Sequence, residues 1–253
     1  MLGTDGKLWL EHAPFGNGLP PARQQVDGNV QAFQALSPNE VYVLGTDGKL
    51  WLEDAPFGNV VPTARRQVDG NVRAFHGLSE IVVLVEGSDG KLWLESGPWG
   101  TVPPARQQID GNVQAFQALS LQQIVVLGTD GKLWLEDAPF GNTVPPAREQ
   151  VDGNVLAFQA LSPERIYVLG TDRKLWLEDA PFGNAVPPAR QQVDGNVLAF
   201  QGISTLTAIG LGTDSKLWFE FGPWGSVPPP RDEIDGNVAP GRPQLQTELY
   251  QGH

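Results

Sequence analysis

The sequence predicts an all-β fold, a six-bladed β-propeller of four-stranded antiparallel blades. Two observations carry that reading. One unit of about 42 residues recurs six times, and each copy reads as four short strands broken by turn residues. The string GTDGKLWLE, or a near variant, places tryptophans at Trp9, Trp51, Trp93, Trp134, Trp176 and Trp218, spaced by 42, 42, 41, 42 and 42 residues. A second string, Val/Ile-Asp-Gly-Asn-Val, follows each one, with Asp27, Asp69, Asp110, Asp152, Asp194 and Asp235. Six blades lie within the usual range for propellers.

The second unit justifies each strand in turn. Ala32–Leu36 is short and apolar with small residues, which suits an innermost strand. Ser37-Pro38-Asn39-Glu40 is turn chemistry. Val41–Leu44 and Leu50–Leu52 are apolar on both faces, as strands covered on both sides require. Thr46-Asp47-Gly48-Lys49 between them carries the Asp-Gly hairpin signal. Arg65–Val68 is polar and extended, as expected of an outer edge strand, where charge discourages edge-to-edge pairing. Asp69-Gly70-Asn71 then turns the chain into the next unit. A helical reading fails: every unit holds several Gly and Pro, and no window shows the i, i+3, i+4, i+7 pattern over three turns. A β-solenoid would need shorter rungs.

Repeat boundaries fall near 1–31, 32–72, 73–113, 114–155, 156–197 and 198–238, with 239–253 left over, all in one domain. The chain starts inside a unit. Gln244–Tyr250 is therefore expected to supply the inner strands of a closing blade whose outer strands are Lys7–Glu11 and Ala22–Val26, so that both termini share it. A five-bladed ring with loose ends is the alternative. Units three and six share GPWG for APFG, a loop shorter by one residue, and Ile109 and Ile234 for Val. Positions 3 and 128, 45 and 170, and 87 and 212 correspond, each 125 apart. A three-unit block was thus duplicated whole.

Composition narrows the partners. With 17 Lys+Arg against 29 Asp+Glu the net charge is −12, and no basic stripe exists to displace counterions from nucleic acid or to hold an anionic membrane. No stretch approaches the 18 apolar residues needed to insert in a bilayer. Cysteine is absent, which removes disulfides and thiolate metal sites. Met1-Leu2-Gly3-Thr4-Asp5 lacks the features of a signal peptide, so the expected location is cytoplasmic or non-classically released.

No catalytic residue is expected. His12, His76 and His253 fall at unrelated repeat positions and at no metal spacing. No nucleophile elbow, phosphate loop or HExxH occurs. Glu53 and its equivalents recur in every unit, and six near-equivalent active sites would be unusual for a glycosidase pair. No cofactor and no metal is expected, since the hairpin aspartates, such as Asp47, offer too few oxygens for calcium.

Three features could bind a ligand, the third being the strand tryptophan, Trp51 and its equivalents. The long loop, Asp54–Ala64 in unit two, presents one aromatic per unit: Phe15, Phe57, Trp99, Phe140, Phe182 and Trp224. A sugar's C–H face stacks on an exposed ring while its hydroxyls need polar partners; Arg65, Arg106, Arg148 and Arg190 are candidates. The competing role is a plug between blades. Trp99 and Trp224 are expected to be the more exposed, because Trp is seldom fully buried. The second feature is the Asp-Gly-Asn turn, with Asp27 and Asn29, Asp69 and Asn71, Asp110 and Asn112, Asp152 and Asn154, and Asp194 and Asn196. It offers hydroxyl-binding groups, or else a plain Asx-capped turn. The strand tryptophan, between two leucines, reads as core.

Ala64-Arg65, Val68-Asp69-Gly70, Phe75, Val82–Leu84, Asp89-Gly90-Lys91-Leu92-Trp93 and Pro103-Pro104 together resemble the tectonin and tachylectin group of lectin propellers. The resemblance covers nearly the whole chain. The repeat is shorter than the tachylectin one and has Asn-Val where that pattern has Gly-Trp. The resemblance implies a non-enzymatic protein binding amino sugars or related glycans at several equivalent seams. Weak pockets repeated on a rigid frame would then act together through avidity. A protein-interaction scaffold is the second reading, and a recombined or designed repeat protein without a natural ligand is the third. The partner expected from the leading reading is a glycan or glycoconjugate, bound by a monomer or by an oligomer.

Overall fold

The computed structural model describes residues 1–12 and 22–238, and these form β-strands joined by turns and loops. It divides into two compact units, residues 1–110 and 111–253. In the first, β1 (Leu8–His12) and β2 (Ala22–Asp27) make a two-stranded sheet. Next come β3 (Val30–Ser37), β4 (Glu40–Gly45), β5 (Leu50–Asp54) and β6 (Ala64–Asp69), paired in chain order as an antiparallel sheet. β7 (Val72–Ser79), β8 (Val82–Gly87), β9 (Leu92–Ser96) and β10 (Ala105–Asp110) repeat it.

The second unit holds three such sheets. They are β11 (Val113–Ala118) to β14 (Ala147–Asp152) through β12 (Gln123–Gly128) and β13 (Leu133–Asp137); β15 (Val155–Ser162), β16 (Arg165–Gly170), β17 (Leu175–Asp179) and β18 (Ala189–Asp194); and β19 (Val197–Ser204), β20 (Thr207–Gly212), β21 (Leu217–Phe221) and β22 (Arg231–Asp235). Phe15 and the expected closing segment Gln244–Tyr250 lie outside the described residues.

The first strand of each sheet starts two residues earlier than its apolar content suggests, at Val30 instead of Ala32. The Asp-Gly-Asn turn explains this. Asn29, Asn71, Asn112, Asn154 and Asn196 take the left-handed conformation at φ 56 to 58°, which asparagine tolerates better than most residues. The turn then stitches hairpins together. Val72 N–H donates to the Gly48 carbonyl, and Ser88 N–H donates to the Asn71 carbonyl, each at 2.8 Å. Strand geometry therefore begins immediately after Asn.

Alternation along the strands decides which seam each side chain enters. In the second sheet Tyr42, Leu44, Leu50, Leu52 and Val68 pack against Val83, Val85 and Trp99 of the following sheet. Val41 and Val43, on the other face, pack against Leu8 and Val26 of the preceding one. Analogous clusters fill the seams of the second unit. Burying each such aliphatic side chain contributes about 1.5–3 kcal/mol, so the seams dominate stability.

Polar latches set the spacing of these seams. Gln34 Oε1 accepts from Gly77 N–H at 2.7 Å, and its Nε2 donates to the Gly77 carbonyl at 2.9 Å. Gln117 does the same to Ala160, and Gln159 to Gly202. Where Gly replaces Ala at the latched position, the preceding sheet carries a tyrosine. Tyr42 OH donates to the Ser79 carbonyl at 2.9 Å, and Tyr167 OH to the Ser204 carbonyl at 2.8 Å. A Cβ at Gly77 would stand 2.5 Å from Tyr42 Cδ2, and one at Gly202 would crowd Tyr167 more closely still. Gly77→Ala and Gly202→Ala should each destabilise by about 1–3 kcal/mol through overpacking. Pairing Gly77→Ala with Tyr42→Leu should recover most of that loss in urea denaturation.

Arg173 and Ser215 occupy the hairpin position filled by Gly48, both at φ 63°. Because a side chain is strained there, Arg173→Gly and Ser215→Gly should each raise stability, by roughly 0.5–1 kcal/mol. A melting temperature that stayed level or fell would contradict this.

Candidate functional site

The most elaborate polar arrangement repeats at the seams, on the face of each sheet turned to the preceding sheet. Trp51 and Glu53 share that face of β5, since they pair with Val43 and Val41. Arg65 is the cross-strand partner of Glu53. Its guanidinium lies 4.0 Å above the Trp51 ring centroid, a cation–π contact. Nη1 of Arg65 is 3.1 Å from Asp27 Oδ2 of the preceding sheet and 3.6 Å from Glu53 Oε1. Thr63 Oγ1 donates to Glu53 Oε2 at 3.3 Å.

The pattern recurs. Arg106 stacks on Trp93 at 4.2 Å and stands 3.8 Å from both Asp69 and Glu95. Arg190 stacks on Trp176 at 4.1 Å and reaches Asp152 at 3.3 Å and Glu178 at 3.5 Å. Arg231 stacks on Trp218 at 4.1 Å and reaches Asp194 at 3.1 Å. Arg148 stacks on Trp134 at 4.0 Å with Glu136 3.5 Å away. In the two-stranded sheet Arg23 covers Trp9 at 4.3 Å.

The glutamates of this cluster have 0% exposure. Burial pushes the Glu53 and Glu220 carboxyls up to about 8 and those of Glu95 and Glu178 up to about 9, and the adjacent aspartate of the preceding sheet adds to the rise. Asp27, Asp152 and Asp194 also accept their own turn's glycine N–H at 2.6 to 2.7 Å. The aspartates thus serve the turn and the seam at once.

Most of the residues proposed for sugar binding are committed elsewhere. Phe57, Phe140 and Phe182 are 6%, 5% and 2% exposed, and Trp99 and Trp224 are 8% exposed. The two tryptophans, expected to be open, instead donate Nε1–H to the Glu80 and Thr205 carbonyls at 2.6 and 2.8 Å and meet Tyr42 and Tyr167 edge-on. These rings plug seams because the loop folds inward. Gly100, Gly183 and Gly225 N–H groups donate to carbonyls of the preceding sheet's fourth strand, Gln67, Gln150 and Gln192. No described ring of this series offers a face for stacking.

Asp27, Asp69, Asp110, Asp152 and Asp194 are buried. Arg65, Arg106 and Arg190 are paired with carboxylates and stacked, and Arg148 is stacked beside Glu136. Asn29, Asn71, Asn112, Asn154 and Asn196 expose their side chains, while their carbonyls bind the following hairpin's N–H at 2.8 Å. The strand tryptophans, expected in the core, are half-buried under arginine, because the flanking leucines take the opposite face of the strand.

Pattern reading noted the glutamate two residues after each tryptophan but gave it no place in the site. Its invariant place in an otherwise apolar strand was the available signal. His76 is another such residue: it replaces the latching glutamine, is fully buried with no hydrogen bond at either nitrogen, and burial pushes it down to about 4, so it is neutral.

No family model matches the sequence, and no curated protein matches it. Similar solved structures exist. One is the N-terminal domain of Nup159, at TM-score 0.56 and 12% identity, covering 81% of this chain and 61% of that one. Another is a Saccharomyces cerevisiae assembly of Dbp5 bound to Nup159, Gle1, IP6 and ADP, at TM-score 0.53 and 12% identity, covering 81% and 60%. The fold is a β-propeller. Its sheets are the blades. The chain spans about 60% of the length of these structural relatives, and at this identity the likeness is one of fold.

The ion-pair cluster tests directly. Removing the cation leaves Asp152 without its ion-pair partner beside the buried Glu178 carboxyl, so Arg190→Met should destabilise by about 1–3 kcal/mol, less than a fully buried pair because the arginine is partly exposed. Adding Asp152→Asn should return part of that loss in a double-mutant cycle.

Proposed function

We propose that this propeller is a non-catalytic protein-interaction scaffold that docks its partner on the long-loop ends of its blades. The observation that carries the reading is where most of the exposed aliphatic side chains fall. Val60, Val61, Val102, Val144, Val186 and Val227 in the long loops, with Ile81, Leu121 and Leu206 in the neighbouring turns, are 42–69% exposed. Loops and turns share one end of each sheet: Ala55, Gly97, Ala138 and Gly222 N–H groups donate to the turn carbonyls of Asn39, Ile81, Gln122 and Leu206. The opposite ends carry Asp–Lys pairs, as between Asp47 and Lys49 at 2.8 Å.

Exposed apolar side chains repeated at the same end of successive sheets within each compact unit can serve as an interaction surface. The loops are held by hydrogen bonds to the preceding blade and stiffened by proline, so docking costs little ordering entropy. With a net charge of −12, the chain favours a basic partner, which would be steered towards it. A propeller fold accommodates this role, though fold alone does not assign it. The glycan reading rests on the resemblance and on repetition, but the stacking faces it requires are buried.

Two variants separate the readings. Val61→Asp, Val102→Asp, Val144→Asp, Val186→Asp and Val227→Asp combined charge the loop end; Lys49→Glu with Lys132→Glu alters the opposite end. Cross-linking with mass spectrometry should recover a defined protein partner with the parent and the hairpin variant, and lose it with the loop variant. Binding on a glycan array that a simple sugar competes away, with no protein partner recovered, would overturn the scaffold reading.

A further inference from the structure

Four seams, two within each compact unit, bring two acids to one guanidinium. Arg65 serves Asp27 and Glu53, Arg106 serves Asp69 and Glu95, and Arg190 serves Asp152 and Glu178. Arg231 pairs with Asp194, which also faces the buried Glu220. Both oxygens of Glu95, Glu178 and Glu220, and Oε1 of Glu53, lack a hydrogen-bond donor. Thr63 supplies the remaining donor, to Glu53 Oε2. One arginine compensates one carboxylate, and a second ionised carboxylate without solvent is too costly to keep.

We propose that each of these four seams stores one proton on its buried glutamate, and that releasing it to solvent at alkaline pH loosens the packing of blade on blade. Two carboxyls brought together cannot both ionise cheaply, so one retains its proton well above the ordinary carboxylate range. The groups facing each glutamate are the aspartate of the preceding sheet, the arginine of its own sheet and, at Glu53, Thr63.

The sign follows from linkage. The folded protein binds the proton more tightly than the unfolded chain does, so the stabilisation is complete below the unfolded glutamate's pKa. It declines as pH rises through the folded value, between about pH 5 and pH 9. The same seams that hold the scaffold rigid at neutral pH thereby set its alkaline limit.

The test compares the full chain with a variant carrying Glu53→Gln, Glu95→Gln, Glu178→Gln and Glu220→Gln, neutral at every pH. At about pH 6 the two should melt within a few degrees of each other, and at about pH 9.5 the variant should melt higher, by at least about 2 °C for each seam changed. Infrared spectra of the parent at neutral pH should show a protonated-carboxyl band that the variant lacks. If the fourfold variant fails to fold, the single Glu178→Gln protein serves, with the same reversal at one seam. Parallel loss of melting temperature in parent and variant, or no protonated-carboxyl band in the parent, overturns the proposal.

Discussion

β4 and its counterparts are apolar on both faces, and a single sheet has no way to cover two apolar faces. Val41 and Val43 enter one seam while Tyr42 and Leu44 enter the next. Within its own unit, the β3–β6 sheet and likewise the β15–β18 sheet therefore depends on a neighbour on each side, and other features of the structure serve that docking. The Asp-Gly-Asn turn aligns successive hairpins, the glutamine latch sets strand spacing, and the long loop closes over the preceding blade's edge strand. That last contact also answers the hazard of an exposed edge, since carbonyls of β6, β14 and β18 accept N–H groups from the following loop.

Near-identical repeats raise a problem of specificity, because any blade could dock on any other. Among the described residues, two seams carry a matched set that the other described seams lack. Tyr42 requires Gly77 and meets Trp99, and Tyr167 requires Gly202 and meets Trp224. A tyrosine facing alanine in place of glycine would clash. The three-residue set thus discriminates among otherwise interchangeable partners, and its two occurrences follow from the duplicated three-unit block.

The seam chemistry and the surface chemistry divide the work. Charges that sequence reading would assign to a ligand are drawn inward, where each arginine stacks on a tryptophan and pairs with the aspartate of the preceding sheet. Exposed valines, which pattern reading passes over, are what the long loops present to solvent. Repetition multiplies both: the same geometry that stiffens the frame exposes a valine on one long loop after another.

Period, strand content and hairpin positions were legible in the sequence because they depend on local chemistry. Asp47-Gly48 makes a hairpin, Val41–Leu44 is too apolar for a solvated strand, and proline confines Asp54–Ala64 to a loop. The tectonin-like resemblance reads the same fold-building residues and so speaks for architecture. What one-dimensional pattern left open was direction: whether Phe57 and Trp99 turn out to solvent or in to a seam, and which side of β5 Trp51 takes. Those depend on a neighbouring sheet some 40 residues away, whose Asp27 meets Arg65 only after docking. A carboxylate such as Glu53 becomes buried, and its proton becomes tightly held, through packing that no segment of the chain contains by itself.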